Sequence, residues 1–516
     1  TLISVVNTTS AGKAVKVRIL EALNSREVLD FNLYLSPFDV WTASIFDQDG
    51  TPTLRTTDTS CTTPYIFGMG GEQAFLNFQF ASAPVDTTGD GTNDFPGTQD
   101  GGPTEIERAA SGYIELIEMG TMLDASALES APAADDPLIV PYSITHDENG
   151  VPRDEDCSLT TDLWTTPAQV PDQPPSVPGP GELGFWKVGS SLFGFEDPAM
   201  TGGLFGGASI INGQNGLMFS YNATAIDNFW PDSNAAFHTD PTRIDPGLAS
   251  SNQTRADVFI TSDAQSGTSP VDTTNWPAPG PFAINAALTV SQLMNEYAIN
   301  AGMLQGRTEW VLTFPTKGEH TDNAVGGPNE QIPLTAPIPP FTKLWEKDSP
   351  NSCDTQTFSF WNREEGPTTP DPEPGDPDGP NVSPPPPPTA GEPPSSDEFV
   401  LCREANVVRF VNDGTQPDAT EILGEPIRRD DDGNVSPLSY TNFDLPSEVI
   451  SGWVRFDFGG FTSQVNTDGD VISGLPVIGF GVNTFTNSNI QDGVRANFGG
   501  TFQHRGTRKR STTPTP

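Results

Sequence analysis

The run from Lys13 to Phe46, KAVKVRILEALNSREVLDFNLYLSPFDVWTASIF, carries the most regular alternation in the chain and commits it to sheet. Apolar residues take every second position in Val15, Val17, Ile19 and again in Leu29, Phe31, Leu33, Leu35, with Lys16, Arg18, Asp30 and Asn32 between them. Strand side chains alternate between faces, so each run reads as a strand with one buried face and one wet face. Asn24-Ser25-Arg26 is too short for a crossover helix, which predicts an antiparallel pair. Pro37 cannot donate to a ladder and ends the second strand, and Val40–Phe46 begins a third. Three strands so closely spaced predict one portion of a β-sandwich.

The same pattern recurs along the chain. Gly112–Gly120, Ala208–Ile211, Leu217–Ala223, Glu309–Phe314, Val407–Val411, Trp453–Phe458, Leu475–Val482 and Asn497–Phe502 all read as strands. One helix is predicted, over Val290–Met303, from a Thr289 or Ser291 cap, the stripe Leu293, Met294, Tyr297, Ala298 and the stop at Gly302. A chain of 516 residues is too long for one core. The fold class expected is therefore mainly β: a multi-domain antiparallel β-sandwich, immunoglobulin-like, with long loops and one short helix. Composition divides it into an N-terminal sandwich at 1–166 with an acidic loop at 84–103, a Pro/Gly linker at 167–184 and a β-rich middle domain at 185–365 with the helix near 290–303. A Pro-rich segment at 366–398, a C-terminal β domain at 399–505 and a basic, mobile Thr/Pro tail at 506–516 complete it.

Charge narrows the partners. Asp and Glu number 68 against 25 Lys and Arg, a formal charge of −43 that repels nucleic acid and anionic membranes. Such a surface fits salty water, bound divalent cations, or both. No run approaches the ~18 apolar residues of a membrane helix. Thr1 begins directly inside the apolar pattern Leu2, Ile3, Val5, Val6, which predicts a processed or truncated N-terminus with an export signal removed. The four cysteines form no C-x-x-C pair. Cys61 with Cys157, and Cys353 with Cys402, are the expected disulfides, and they place the chain outside the reducing cytosol. The second closes a loop worth roughly 4 kcal/mol in the chain-entropy model.

The best local site is Asp86-Thr-Thr-Gly-Asp90-Gly91-Thr-Asn93-Asp94. A hard cation needs several converging oxygens, and Asp86, Asp90, Asn93 and Asp94 around a sharp Gly turn supply them, so Ca²⁺ is the expected ligand. These nine residues resemble the calcium loops of thrombospondin type 3 and dockerin repeats, although Thr88 stands where Asp or Asn is usual and no Glu occupies the twelfth position. Asn466–Asp470 and Asp430–Gly433 are weaker versions, since Asp-Gly is first a turn signal. His146, His238, His320 and His504 are scattered, and no nucleophile elbow, zinc-protease motif or phosphate loop occurs. Glu105, Glu107, Glu115 and Glu118 are the candidates for paired-carboxylate chemistry, but acids are too common here for the pairing to inform. A non-enzyme is expected. Trp41, Trp230, Trp276, Trp345 and Trp453 are candidates to stack on surface glycans, set against the commoner role of Trp as a core anchor.

Asn7–Ser44, Gly112–Gly120, Glu309–Lys317 and Asn497–Arg505, taken together and in this order, resemble a family of secreted cell-surface proteins of Gram-negative bacteria, mostly uncharacterised and surface-layer-like. The resemblance spans nearly the whole chain and implies an extracellular location at the bacterial cell surface; it implies no activity. The expected function is that of a structural protein whose principal partner is itself, self-assembling into a surface layer or filament. Cations, the basic tail at Arg508–Arg510, or an unpaired edge strand near Thr1 are expected to join its subunits. An adhesin or carbohydrate-binding surface protein is the alternative.

Overall fold

The computed structural model describes residues 1–81, 100–133, 136–165, 186, 193–196, 201–213, 215–231, 236–261, 269–299, 305–323, 334–362, 397–413, 420–424, 427–429, 435–437, 440–447, 449–491 and 494–514. The N-terminal strands are β1 (Leu2–Asn7), β2 (Lys13–Glu21), β3 (Glu27–Leu35), β4 (Val40–Gln48), β5 (Thr51–Arg55), β6 (Cys61–Thr63) and β7 (Glu72–Ala74). They are followed by β8 (Gly112–Thr121), β9 (Leu204–Asn212) and β10 (Leu217–Asn222). β2 and β3 pair antiparallel across the Asn24–Arg26 turn, as the spacing predicts, in a four-stranded sheet of order β6-β3-β2-β8. β4 does not extend that sheet. It crosses the core and lies between β1 and β5 in a six-stranded sheet of order β10-β9-β1-β4-β5-β7. The inward side chains of both sheets meet: Val15, Val17, Phe31 and Leu33 from one pack with Val5, Trp41 and Leu54 from the other.

The second half adds β11 (Arg255–Phe259), β12 (Val271–Asn275), β13 (Thr289–Val290), β14 (Gln292–Ala298), β15 (Gln305–Thr313), β16 (Asp354–Asn362) and β17 (Asp397–Leu401). It continues through β18 (Ala405–Val411), β19 (Ile427–Arg429), β20 (Val435–Pro437), β21 (Tyr440–Asp444) and β22 (Ser451–Asp457). The last strands are β23 (Leu475–Pro476), β24 (Ile478–Gln491), β25 (Val494–Gln503) and β26 (Arg505–Thr507). Two five-stranded sheets result, β17-β16-β22-β14-β26 and β21-β18-β15-β24-β25. Only the β18–β21 pairing among the described ladders is parallel. Their shared core is aromatic: Trp310 lies 4.7 Å from Phe410, which lies 5.0 Å from Phe443. Leu217 and Phe219 of β10 join Phe480 and Val482 of β24 in a smaller cluster, so the N- and C-terminal strands cohere.

The protein is mainly β, 44% strand and 9% helix, with its sheets in a four-blade, propeller-like arrangement and no clear immunoglobulin-like sandwich. The segments expected as separate domains share sheets. β9 and β10 join the strands of 1–166, and β14 to β16 interleave with strands of 399–505. Where a helix is expected at 290–303, the described residues form strand β14 instead, pairing with β22 from Gln292↔Asp457 to Ala298↔Ser451, and 300–303 lie outside the described residues. Leu293 and Tyr297 sit four apart, a spacing that fits either structure; Asn295 between them is also buried, which only the strand period explains. The helices are α1 (Ile139–Ile144), α2 (Ser158–Thr165), α3 (Pro281–Leu288) and α4 (Lys317–Thr321). α3 starts where Pro281, with its fixed φ, follows Gly280 at φ 118°.

Two expectations about the termini are corrected. β1 is no edge strand, because β4 and β9 flank it on both sides. The basic tail is docked: Arg508 N–H donates to Thr261 Oγ1 (2.6 Å), Ser511 N–H to Asp272 (2.8 Å), and Thr512 pairs with Val471.

Candidate functional site

The polar face of β2 and β3 departs furthest from expectation. All nine residues of β2 are buried, Lys13, Lys16 and Arg18 included, so the face predicted to be wet is covered. The 239–241 segment lies over it: Asn32 Nδ2 donates to the Thr239 carbonyl (2.8 Å) and Lys16 Nζ to that of Pro241 (3.2 Å). Each cation has a carboxylate. Lys13 pairs with Glu118 (2.6 Å), Lys16 with Asp30, and Arg18 with both Glu27 (2.8 Å) and Glu115 (2.8 Å). At the end of β2, Arg108 binds Glu21 (2.9 Å) and Asp100 (2.7 Å), while Arg26 binds Asp322 (2.8 Å). Burial and the neighbouring Asp30 push Glu27 up to about 8, against Arg18 and Lys16. Burial opposes the Asp100 charge as well, yet its bonds to Arg108 and the charge of Arg26 bring it down to about 2. This belt spends its charges on one another, so its chemistry is structural.

The expected cation loop at Asp86, Asp90, Asn93 and Asp94, and the weaker one at 430–433, lie outside the described residues. Asn466–Asp470 is described and is a turn: Asn466 Oδ1 accepts the N–H of Asp468 (3.0 Å) and of Asp470 (2.9 Å). Among the described residues no group of three His, Cys, Asp or Glu is placed to hold a metal ion. Glu115 and Glu118, considered for paired-carboxylate chemistry, are separately engaged by Arg18 and Lys13. His320 and His504 are buried neutral imidazoles, each brought down to about 4 by burial. His320 Nδ1 donates to the Ile338 carbonyl and its Nε2 accepts from Asn285 Nδ2 (2.6 Å), which assigns its tautomer. Both disulfides join the cysteines expected, Cys61–Cys157 and Cys353–Cys402.

A lone buried carboxylate stands out on β15. Glu309 is 1% exposed and accepts the backbone N–H of Ile422 (3.0 Å) and Leu423 (2.9 Å), pinning that segment to the sheet. Burial outweighs those bonds and pushes it up to about 7. A raised folded pKa means the native state keeps a proton that the unfolded chain has released, so its contribution is full below about 4.5 and is lost as pH rises through about 7. The loss is on the order of 3 kcal/mol. His320 and His504 act oppositely, losing their contribution as pH falls from 6.5 through about 4. The difference between wild type and Glu309→Gln isolates the carboxylate: urea midpoints from pH 5 to 8 are expected to fall less steeply in the variant. Parallel profiles would refute the assignment.

The tryptophans divide sharply. Trp41, Trp230, Trp276 and Trp345 are between 1% and 4% exposed and act as core anchors, so they are not available to stack on glycans. Trp230 Nε1 donates to the Glu118 carbonyl (2.7 Å) and Trp345 Nε1 to that of Asp100 (2.9 Å). Trp453 is half-buried and lies against Trp361, with ring centres 3.9 Å apart and planes 9° from parallel. Trp361 is absent from the candidates read from the sequence; the signal that points to it is the alternation of Phe358 and Phe360 with Thr357, Ser359 and Trp361, which puts it on the outward side of a strand.

The outer face of the six-stranded sheet also carries unexpected residues. Leu2, Val40, Phe205, Ile211 and Met218 are exposed there, at 43% to 57%. The register sets Leu2 beside Ser44 and Ser209, Ser4 beside Thr42 and Gly207, and Ile211 beside Met218. Apolar side chains thus flank a centre of small hydroxyl residues. Separately, a cleft of about 910 Å³ opens along β8, between it and residues 201–206 and 222–230. Comparison with protein-family models, curated proteins and solved structures finds no match for this chain.

Proposed function

We propose that the protein is an extracellular structural subunit that assembles with copies of itself into a surface layer or filament at a bacterial cell surface. The observation that carries this reading is the outer face of the six-stranded sheet, where large apolar residues stand exposed around small ones. Exposed apolar groups gathered on one face are the mark of an interaction surface. The two disulfides indicate an oxidising compartment, extracellular or periplasmic. The reading is of a non-enzyme, in which the buried ion pairs serve the fold. With a formal charge of −43 per copy, association requires screening or bridging by divalent cations, and Ca²⁺ is the cation proposed.

Negative-stain microscopy and sedimentation with millimolar calcium are expected to show ordered lattices or filaments that dissolve in EDTA. Ile211→Asp with Met218→Asp is expected to leave the melting temperature within a few degrees and to abolish the ordered particles. Wild-type protein that stays monomeric at high concentration with calcium removes this reading. A second reading, as a carbohydrate-binding surface protein, is favoured by the half-buried Trp361–Trp453 pair on the outward side of its sheet.

A further inference from the structure

We infer that the outward face of the β17-β16-β22-β14-β26 sheet is a binding platform for uncharged pyranose oligosaccharides, centred on Trp361 and Trp453. The inference gives the carbohydrate reading its site and ligand class, and it does not depend on self-assembly.

The inward side of this sheet is complete without the two tryptophans. Leu293, Tyr297, Phe399, Val454 and Phe456 fill the core, and Phe358 and Phe360 pack against it. The outward positions of the same strands are Thr355, Thr357, Ser359 and Trp361 on β16, and Trp453, Arg455 and Asp457 on β22. Neighbours on that face include exposed Glu296, Glu398 and Arg505, so it meets water. Two indoles placed there stack face to face, in direct register across the strands and 3.9 Å apart. Because the rings face each other and Arg455 lies over Trp361, the surface offered to a ligand with an apolar face is the outer face of Trp453 and the outward edges of the pair.

Polar groups frame the rings. The Arg455 guanidinium lies 5.1 Å from the centre of the Trp361 ring, its Nε buried and without a hydrogen-bond partner, which leaves the terminal nitrogens as its donors towards a ligand. Glu296 stands opposite Trp453 on β14, and two rows further along the same face Asp457 accepts a bond from Gln292 Nε2 (3.1 Å). Pyranose rings present axial C–H groups on a face and hydroxyls around an edge. The face suits stacking on indole, and the edge suits a guanidinium donor beside carboxylate and amide acceptors. The charge of the chain selects further: at −43 it repels polyanionic glycans, which leaves neutral ones.

The test uses the full-length protein with cellohexaose and chitohexaose as probes, together with an array of neutral glycans. Binding is followed by tryptophan fluorescence and calorimetry, with sedimentation run in parallel. Wild type is expected to bind at least one neutral glycan. Trp453→Ala and Trp361→Ala are each expected to weaken it by roughly tenfold or more, a loss equivalent to one stacked ring. Melting temperatures check that both variants fold, and Trp453→Phe, which keeps an aromatic face, is expected to recover part of the affinity. If a neutral glycan binds but both alanine variants bind it as wild type does, the platform is wrong and the sugar site lies elsewhere. If no neutral glycan binds at all, the carbohydrate reading falls with it. Neither outcome alters the sedimentation result that decides self-assembly.

Discussion

Arg18→Ala is expected to destabilise the protein by about 3–5 kcal/mol, the cost of leaving a buried ion pair without one partner. Arg18 is 1% exposed and donates to two carboxylates, Glu27 and Glu115, which are themselves 1% and 7% exposed. Removing the cation strands two acids in a region closed over by the 239–241 segment. Burial already pushes both acids up in the intact protein, Glu27 to about 8. Without Arg18 they rise further. Acids with raised folded pKa values stabilise the native state most when protonated, so the deficit is expected to be largest above pH 8 and to shrink towards pH 5. Urea unfolding across that range measures it. The triple variant Arg18→Met, Glu27→Gln, Glu115→Gln is expected to recover a large part of the loss, because neutral groups of similar shape need no counter-charge. A deficit independent of pH would show that Arg18 acts through packing of its stem, not through its charge.

The alternation in 13–35 made β2, β3 and their pairing legible, because period two is a property of the backbone that the side chains must obey. The same letters could not show what covers the second face. Lys16, Arg18, Asp30 and Asn32 look identical whether water or carboxylates and carbonyls meet them, and the covering residues, Thr239 and Pro241, are some two hundred positions away. Distance also hid the destination of β4. Its alternation predicts a strand, but the choice between pairing with β3 and crossing to β1 depends on contacts that no local pattern encodes. At 290–298 the local signal itself was ambiguous, and pairing with β22 decided it. The cysteines were readable because their spacing and number leave few sensible pairings in loop-like sequence. The tryptophans were not, since indole anchors a core and stacks on a ligand equally well; only alternation within β16 and β22 separates Trp361 and Trp453 from Trp41 and Trp345.

Loss of the Cys61–Cys157 disulfide is expected to cost about 4–5 kcal/mol, the chain-entropy value for a loop of about 100 residues. The two cysteines are 96 positions apart, so their bond removes a large set of open conformations from the unfolded chain. Its native surroundings add to the effect. Cys61 lies on β6 beside Tyr34 of β3, Cys157 precedes α2, and both sit in a cluster with Trp164, Trp186 and Met119. The bond thereby fastens α2 and its aromatic neighbours to the four-stranded sheet, above the charged face of β2. Cys61→Ala with Cys157→Ala is expected to lower the denaturation midpoint accordingly, while Arg18 and its partners keep the sheet itself paired. Burial of both cysteines, 1% and 0% exposed, predicts that dithiothreitol leaves the native protein oxidised and reduces it only once denaturant opens the fold. Mass spectrometry after thiol alkylation, with and without urea, measures this directly. Rapid reduction of Cys61 under native conditions would mean that the α2 region opens independently of the sheet, and the stabilisation would then belong to that local unit and not to the whole chain.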